Sequence, residues 1–126
     1  MSLLSEYEIH CQIVEWLNFS LPQNAIAHHS SNEGKHHVAF RAKQKKMGMQ
    51  TGWPDLEIFA PDTSFYVGKK AAPIFLEVKS KKGRLSDSQK AIKERLEDLN
   101  FHYFIVRSVE DTFNSLNGLI ALRVRA

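Results

Sequence analysis

Apolar residues follow two different periods along this chain, and each change of period marks an element. Between residues 4 and 19, Ile9, Ile13, Val14 and Leu17 recur at helical spacing, which predicts an amphipathic helix. Ser5 is placed to cap it, Glu8 completes a capping box, and Leu21-Pro22 ends it. Residues 25–29 read as a short strand, followed by the polar loop SSNEGKHH. Residues 38–47 form a basic helix closed by Gly48, and the glycines and proline of MGMQTGWPD make that run a loop. DLEIFA, residues 55–60, alternates as a strand, and PDTSFYVGKKAAP is a turn or hairpin excursion. A second strand over 73–80 carries the apolar run Ile74, Phe75, Leu76 and Val78. Residues 86–99 form another amphipathic helix, with Ile92, Leu96 and Leu99 facing inward. HYFIVRS is a buried strand and VEDTFNSLNG a last short helix; Phe101, Tyr103, Phe104 and Phe113 are assigned to the core. The ending LIALRVRA reads as an edge strand or a partner-facing extension. The order α-β-α-β-β-α-β-α predicts an α/β fold, a sheet flanked by helices.

One strand breaks its own pattern. In APIFLEVKSKKG, Glu77 and Lys79 interrupt an otherwise greasy run, and each charge removed from water costs, roughly, several kcal/mol. Alternate strand residues share a face, so Glu77 and Lys79 lie together while Leu76 and Val78 occupy the other side. Upstream, Pro54-Asp55 opens the preceding strand, and Asp55 and Glu77 converge if the two strands are neighbours. Two carboxylates are what Mg²⁺ requires, because it keeps several waters and adds phosphate oxygens. A lysine beside such a metal positions or deprotonates the attacking water, or offsets charge on the phosphate. The sum is metal-assisted phosphodiester hydrolysis by water. The plainer alternative is a structural ion pair, though lone buried pairs seldom add stability.

Composition narrows the class. The 126 residues suffice for one domain with a real core, and 43% hydrophobic with 25% charged residues is ordinary for a soluble globular protein. No apolar stretch approaches the roughly 20 residues of a membrane span, and MSLLSEYEIH lacks the basic start of a secretory signal. A single cysteine, Cys11, excludes an internal disulfide and a cysteine-based zinc site and fits a reducing cytoplasm. The net charge of +3 is mild, but its distribution is not. No acidic residue falls between Gly34 and Pro54, a segment that holds Lys35, Arg41, Lys43, Lys45 and Lys46. A second cluster, Lys79, Lys81, Lys82 and Arg84, follows the charged strand. These are the expected polyanion-binding residues; the alternative is two solvated surfaces.

GWPDLEIF followed by IFLEVKSKKGRLSDSQ resembles the P-D…(D/E)-x-K nuclease superfamily, and more narrowly the VRR-NUC (virus-type replication–repair nuclease) family. The resemblance extends over SEYEIHCQIVEWL, SSNEGK, KKMGMQTGWPDL and FHYFIVRSVED, nearly the whole chain. It implies a restriction-endonuclease-like core with a mixed central sheet, dependence on Mg²⁺ or Mn²⁺, and DNA endonuclease activity. It also implies kinship with small homodimeric enzymes that resolve four-way (Holliday) junctions. Carried over residue by residue, Asp55 and Glu77 are metal ligands, Lys79 is the catalytic lysine and Gln89 matches the glutamine after the E-x-K strand. Gln89 is equally explained as part of a capping box with Ser86. The family's acidic residue on the first helix falls on Glu6 or Glu8, and Glu6 is favoured because it shares the face of Ile9, Ile13 and Leu17.

Other polar residues receive plainer readings. Glu57 shares a strand face with Asp55 and is a polar position near the cleft or an extra ligand. The doublets His28-His29 and His36-His37 lack the spacing of a helical zinc pair, although one or two could touch phosphate. Asn32, Glu33 and Gly34 shape a turn, and Trp53 packs beside Pro54. Two function classes result. One is an endonuclease, selective for branched DNA or acting as a flap or restriction-like enzyme. The other is a non-catalytic nucleic-acid-binding module, which would have been free to lose Asp55, Glu77 and Lys79. A chain this small matches the two-fold symmetry of a four-way junction through a homodimer, with the first helix and LIALRVRA as candidate dimer surfaces.

Overall fold

A computed structural model describes residues 3–30, 38–61 and 72–123. The elements are α1 (Glu6–Ser20), β1 (Ile26–His29), α2 (Val38–Lys46), β2 (Leu56–Phe59), β3 (Ile74–Val78), α3 (Asp87–Asp98), β4 (His102–Val106) and α4 (Val109–Leu116). Their order is the expected one. The strands form one mixed sheet ordered β1-β2-β3-β4, antiparallel across its first two pairings and parallel between β3 and β4. The parallel pair requires a crossover, which α3 supplies.

Strand alternation sorts the core into two layers. Ile74, Leu76 and Val78 join Leu56, Ile58 and Val106 against Ile9, Ile13 and Leu17 of α1 and Leu116 of α4. On the other face Phe75 and Tyr103 pack against Ile92 and Leu96 of α3. Leu17 and Leu76 are fully buried, and truncating either to alanine would cost about 2–5 kcal/mol. Between two such layers β3 has no solvent face: all five of its residues are buried, including Glu77.

The ends of the helices follow local chemistry. Ser5 and Glu8 form the reciprocal capping box of α1, and Ser86 and Gln89 form that of α3. Leu99, expected to face inward, is instead 67% exposed. It is the C-cap of α3, where the chain turns at Asn100 with φ 66°, so it has left the helical face that Ile92 and Leu96 share. No strand forms in residues 119–123; Ile120 is buried, and Arg123 ties back to the Ser20 and Leu21 carbonyls, so this stretch seals the end of α1. The excursion at 62–71, the block at 31–37 and residues 124–126 lie outside the described residues. No helix among the described residues is long and apolar enough to cross a membrane.

The second helix differs from the rest. It buries none of its nine residues, and Val38 and Phe40 are exposed. Good helix formers and lysines in its last turn, aligned with the helix dipole, account for the local structure.

Candidate active site

Register places the charges of the sequence motif opposite one another. Leu56 pairs with Leu76 and Glu57 with Phe75, so one step further along the antiparallel pair Asp55 meets Glu77. Two hydrogen bonds lock this arrangement. The Val78 N–H donates to Asp55 Oδ2 at 2.8 Å, and the Asp55 N–H donates to Glu77 Oε2 at 3.3 Å. Both carboxylates are buried, Asp55 at 7% exposure and Glu77 at 1%.

Around this pair three further side chains converge. Gln89 Nε2 donates to Glu77 Oε1 at 2.6 Å while Gln89 Oε1 accepts the Ser86 N–H at 2.8 Å. The two readings of Gln89, helix cap and site residue, are therefore one geometry: the cap fixes the amide whose other end reaches the carboxylate. Lys79 lies one residue beyond β3, its N–H bonded to the Val106 carbonyl. Its ammonium stands 3.9 Å from Glu77 Oε1 and 3.9 Å from Glu6 Oε1. Those distances exceed a short charge-assisted hydrogen bond of about 2.7–2.9 Å, so the ammonium is held by charge and retains donors for a third group. Glu6 thus meets the site from the start of α1, whereas Glu8 is used by the Ser5 cap. That hydrogen bonding, to the Ser5 backbone first and its hydroxyl second, draws the Glu8 carboxyl below its usual range.

The loop before Asp55 is pinned by a close approach. Gly52 has φ +83° and is buried, and a Cβ there would sit 2.5 Å from the Ser88 carbonyl carbon and 2.7 Å from the Gln89 nitrogen. Only glycine lets the Trp53-Pro54-Asp55 segment lie on the first turn of α3. Trp53 packs edge-on against Phe75, as a core residue would, and its Nε1–H donates to Glu57 at 3.0 Å. Ser30 donates to the same Glu57 oxygen at 2.8 Å, so this carboxylate braces the loop.

Sequence reasoning passed over His10 and Arg107 here, and weighed His29 only for zinc and phosphate. His29 Nδ1 lies 2.9 Å from the Asp55 carbonyl, and its ring meets His10 edge to face with centroids 4.8 Å apart. Burial, and secondarily His29, push the His10 imidazole below its usual value, against an opposing pull from the Asp55 charge. Arg107 sends Nη1 to the carbonyls of Ser80 and Gly83 at 2.5 and 2.8 Å, which folds the turn carrying Lys81 and Lys82. Parallel pairing of β4 with β3 was the signal, since it sets the residue after Val106 beside Lys79, at the start of that turn.

The basic residues do not enter the carboxylate cluster. Arg41, Lys43, Lys45 and Lys46 are exposed on α2, and Lys81, Lys82 and Arg84 are exposed after β3. Lys35 lies outside the described residues, as do His36, His37 and residues 32–34.

The donor set decides which metal the residues suit. Among the described residues no group of three or more histidine, cysteine or acidic side chains is placed to hold an ion. A pair of hard carboxylates remains, Asp55 and Glu77, side by side at the paired ends of β2 and β3. Such a set fits a cation that completes its shell with water and phosphate, as Mg²⁺ does.

The family model for the VRR-NUC domain matches residues 1–110. The chain belongs to the VRR-NUC domain family. A solved structure of a "VRR_NUC domain protein" superposes with a TM-score of 0.69 at 19% identity, covering 94% of this chain and 89% of that one. At that identity the likeness shows the fold, and it confirms the mixed sheet flanked by helices as a VRR-NUC fold. No curated protein sequence matches. The family is nuclease-like, and the P-D and E-x-K blocks that define its resemblance are the segments that deliver Asp55, Glu77 and Lys79 to one point.

Proposed function

We propose that this VRR-NUC chain is a divalent-metal-dependent DNA endonuclease, with Asp55 and Glu77 holding Mg²⁺, or Mn²⁺ as a substitute. The observation that carries the reading is the burial of two cross-bonded carboxylates beside an ammonium that keeps open donors. An apolar or merely structural strand gains nothing from that arrangement, since a buried charge set is at best weakly stabilising. When bound, the metal supplies Lewis acidity toward a phosphate oxygen and lowers the pKa of a water.

In this reading the chain's own residues do the following. Asp55 and Glu77 orient the cation, and the backbone bonds between their strands fix the spacing. Gln89 holds the Glu77 rotamer. Lys79 directs its ammonium at the attacking water or a phosphate oxygen, and Glu6 keeps that ammonium from collapsing wholly onto Glu77. Arg41, Lys43, Lys45, Lys46, Lys81, Lys82 and Arg84, with Lys35, draw in the backbone of the nucleic acid. All 126 residues act as one domain, in the cytoplasm, as a homodimer whose symmetry suits branched DNA such as a four-way junction.

The test is cleavage of labelled four-way junction, flap, linear duplex and single strand in Mg²⁺, Mn²⁺ or EDTA. Junction cleavage that needs metal supports the proposal. Cleavage of flaps or duplex alone would replace the junction by those substrates, and no metal-dependent cleavage of any of them would overturn the enzyme reading.

A further inference from the structure

Beside the carboxylate cluster, but not part of it, runs a groove of about 410 Å³ between the loop after α2 and the exposed flank of α3. Met49, Ala91 and Ile92 contribute an apolar floor, Thr51 a hydroxyl, and Lys45 and Arg95 stand on its rims. Among the described residues no acidic side chain lines it. Neither Lys45 nor Arg95 has an ion-pair partner among the described residues.

We infer that this groove binds one unpaired nucleotide of the substrate strand, base on the apolar floor and flanking phosphates on Lys45 and Arg95. The inference rests on the nuclease reading of the neighbouring site. Three observations carry it. The volume lies in the range of small-ligand sites, about 300–1,000 Å³. An apolar floor between cationic rims matches the apolar face of an unpaired base and the charge of its flanking phosphates; a duplex hides its base faces and offers such a floor nothing. Finally, the groove is built on the same two segments that support the site. Its walls are the two segments that Gly52 clamps together through Ser88 and Gln89, and the same segments present Asp55 and Gln89 to the metal position. A strand whose phosphate sits at Asp55 and Glu77 can therefore pass directly along the first turns of α3. The proposed substrate thereby becomes a junction or nick with unpaired nucleotides next to the cleaved bond.

Binding and cleavage are measured separately. Anisotropy of a short fluorescent oligodeoxythymidylate, and of a blunt duplex, is read in EDTA so that catalysis plays no part. Arg95→Glu and Ala91→Leu, the latter filling the groove without changing charge or offering an aromatic face, should each weaken oligodeoxythymidylate binding about tenfold. Arg95→Glu should also flatten the log–log salt dependence by about 0.7 for each phosphate no longer neutralised. Lys90→Glu makes the same charge change on the opposite side of α3 and should shift affinity less than about threefold on that electrostatic argument. Circular dichroism confirms folding, and if Ala91→Leu does not fold, Arg95→Glu against Lys90→Glu carries the comparison. Equal loss in both charge variants, or wild-type binding to duplex but not to single strands, would overturn the groove assignment. Groove effects in a protein that cleaves nothing would overturn the nuclease reading and leave the groove standing; cleavage with no groove effects would do the reverse.

Discussion

Gln89 spans 2.6 Å to Glu77 with one end of its amide and caps α3 through Ser86 with the other. With Glu77 as the proposed metal ligand, a residue that orients it in this way is worth, by analogy with other metal sites, about 10–100-fold in metal affinity or activity. Gln89→Ala should therefore lower cleavage by that order and also lower the melting temperature, because the cap is lost. Ser86→Ala separates the two effects: it removes the cap, costing about 0.5–2 kcal/mol, but leaves the donor on Glu77. If the two variants lose activity equally at equal stability, Gln89 acts only as a cap.

Lys79 sits 3.9 Å from two carboxylates without closing a short bond to either. Lys79→Ala should reduce cleavage by about 10²-fold or more, the scale of a positioned proton-transfer or charge-stabilising group. Mn²⁺ affinity, measured by calorimetry, should survive. Lys79→Arg should not rescue the rate, because a planar fork does not substitute for a compact ammonium in a buried slot. Recovery of wild-type cleavage with arginine would show that only the positive charge, not the compact ammonium, matters at this position.

Much of this arrangement was legible in the sequence, for identifiable reasons. Hydrophobic period marked most of the elements, since most bury one stripe or one face; α2, which buries none, was legible from its basic, helix-forming composition instead. The charges of Glu77 and Lys79 stood out because a strand buried on both sides has no place for them. Capping chemistry was local and therefore readable at Ser5 and Ser86. What the sequence did not disclose depends on partners distant along the chain. Leu99 continues the apolar pattern of α3, and only the turn at Asn100 takes it off the inward face. His10 and His29 become neighbours of Asp55 only through packing of α1 against β1. The role of Gly52 exists only because α3 crosses over it.

That crossing makes Gly52 a sharp probe. Gly52→Ala adds a methyl where backbone atoms of Ser88 and Gln89 already lie at 2.5–2.7 Å, at a positive φ. Strain of this kind costs about 1–3 kcal/mol for the backbone conformation alone, and the clash adds to it. The variant should melt at lower temperature and lose cleavage more than stability, because Asp55 and Gln89 are pulled apart together. Unchanged melting and unchanged cleavage would mean that the loop and α3 are not clamped.

Acid should destabilise the protein in two windows. The His10 imidazole is held below its usual 6.5 by burial and by His29, so the unfolded chain takes up its proton first. Its stabilising contribution is complete above that value and is lost as pH falls through the folded pKa. Glu8 is held below its usual 4.5 by the Ser5 cap, and its contribution disappears lower, as pH falls through its own folded pKa. Melting temperature against pH should decline in both windows. Glu8→Gln should flatten only the lower one and His10→Gln only the upper; an unaltered profile in either variant would remove that group from the account.

The most direct measurement sets Glu77→Ala against wild type on a labelled four-way junction, reading cleavage in Mg²⁺ and binding in EDTA with the same preparations. Cleavage should vanish in the variant while junction binding stays within about threefold of wild type, since the basic segments proposed to contact phosphates are untouched. Cleavage that persists without Glu77, or binding and cleavage lost together, would contradict a metal site built on Asp55 and Glu77.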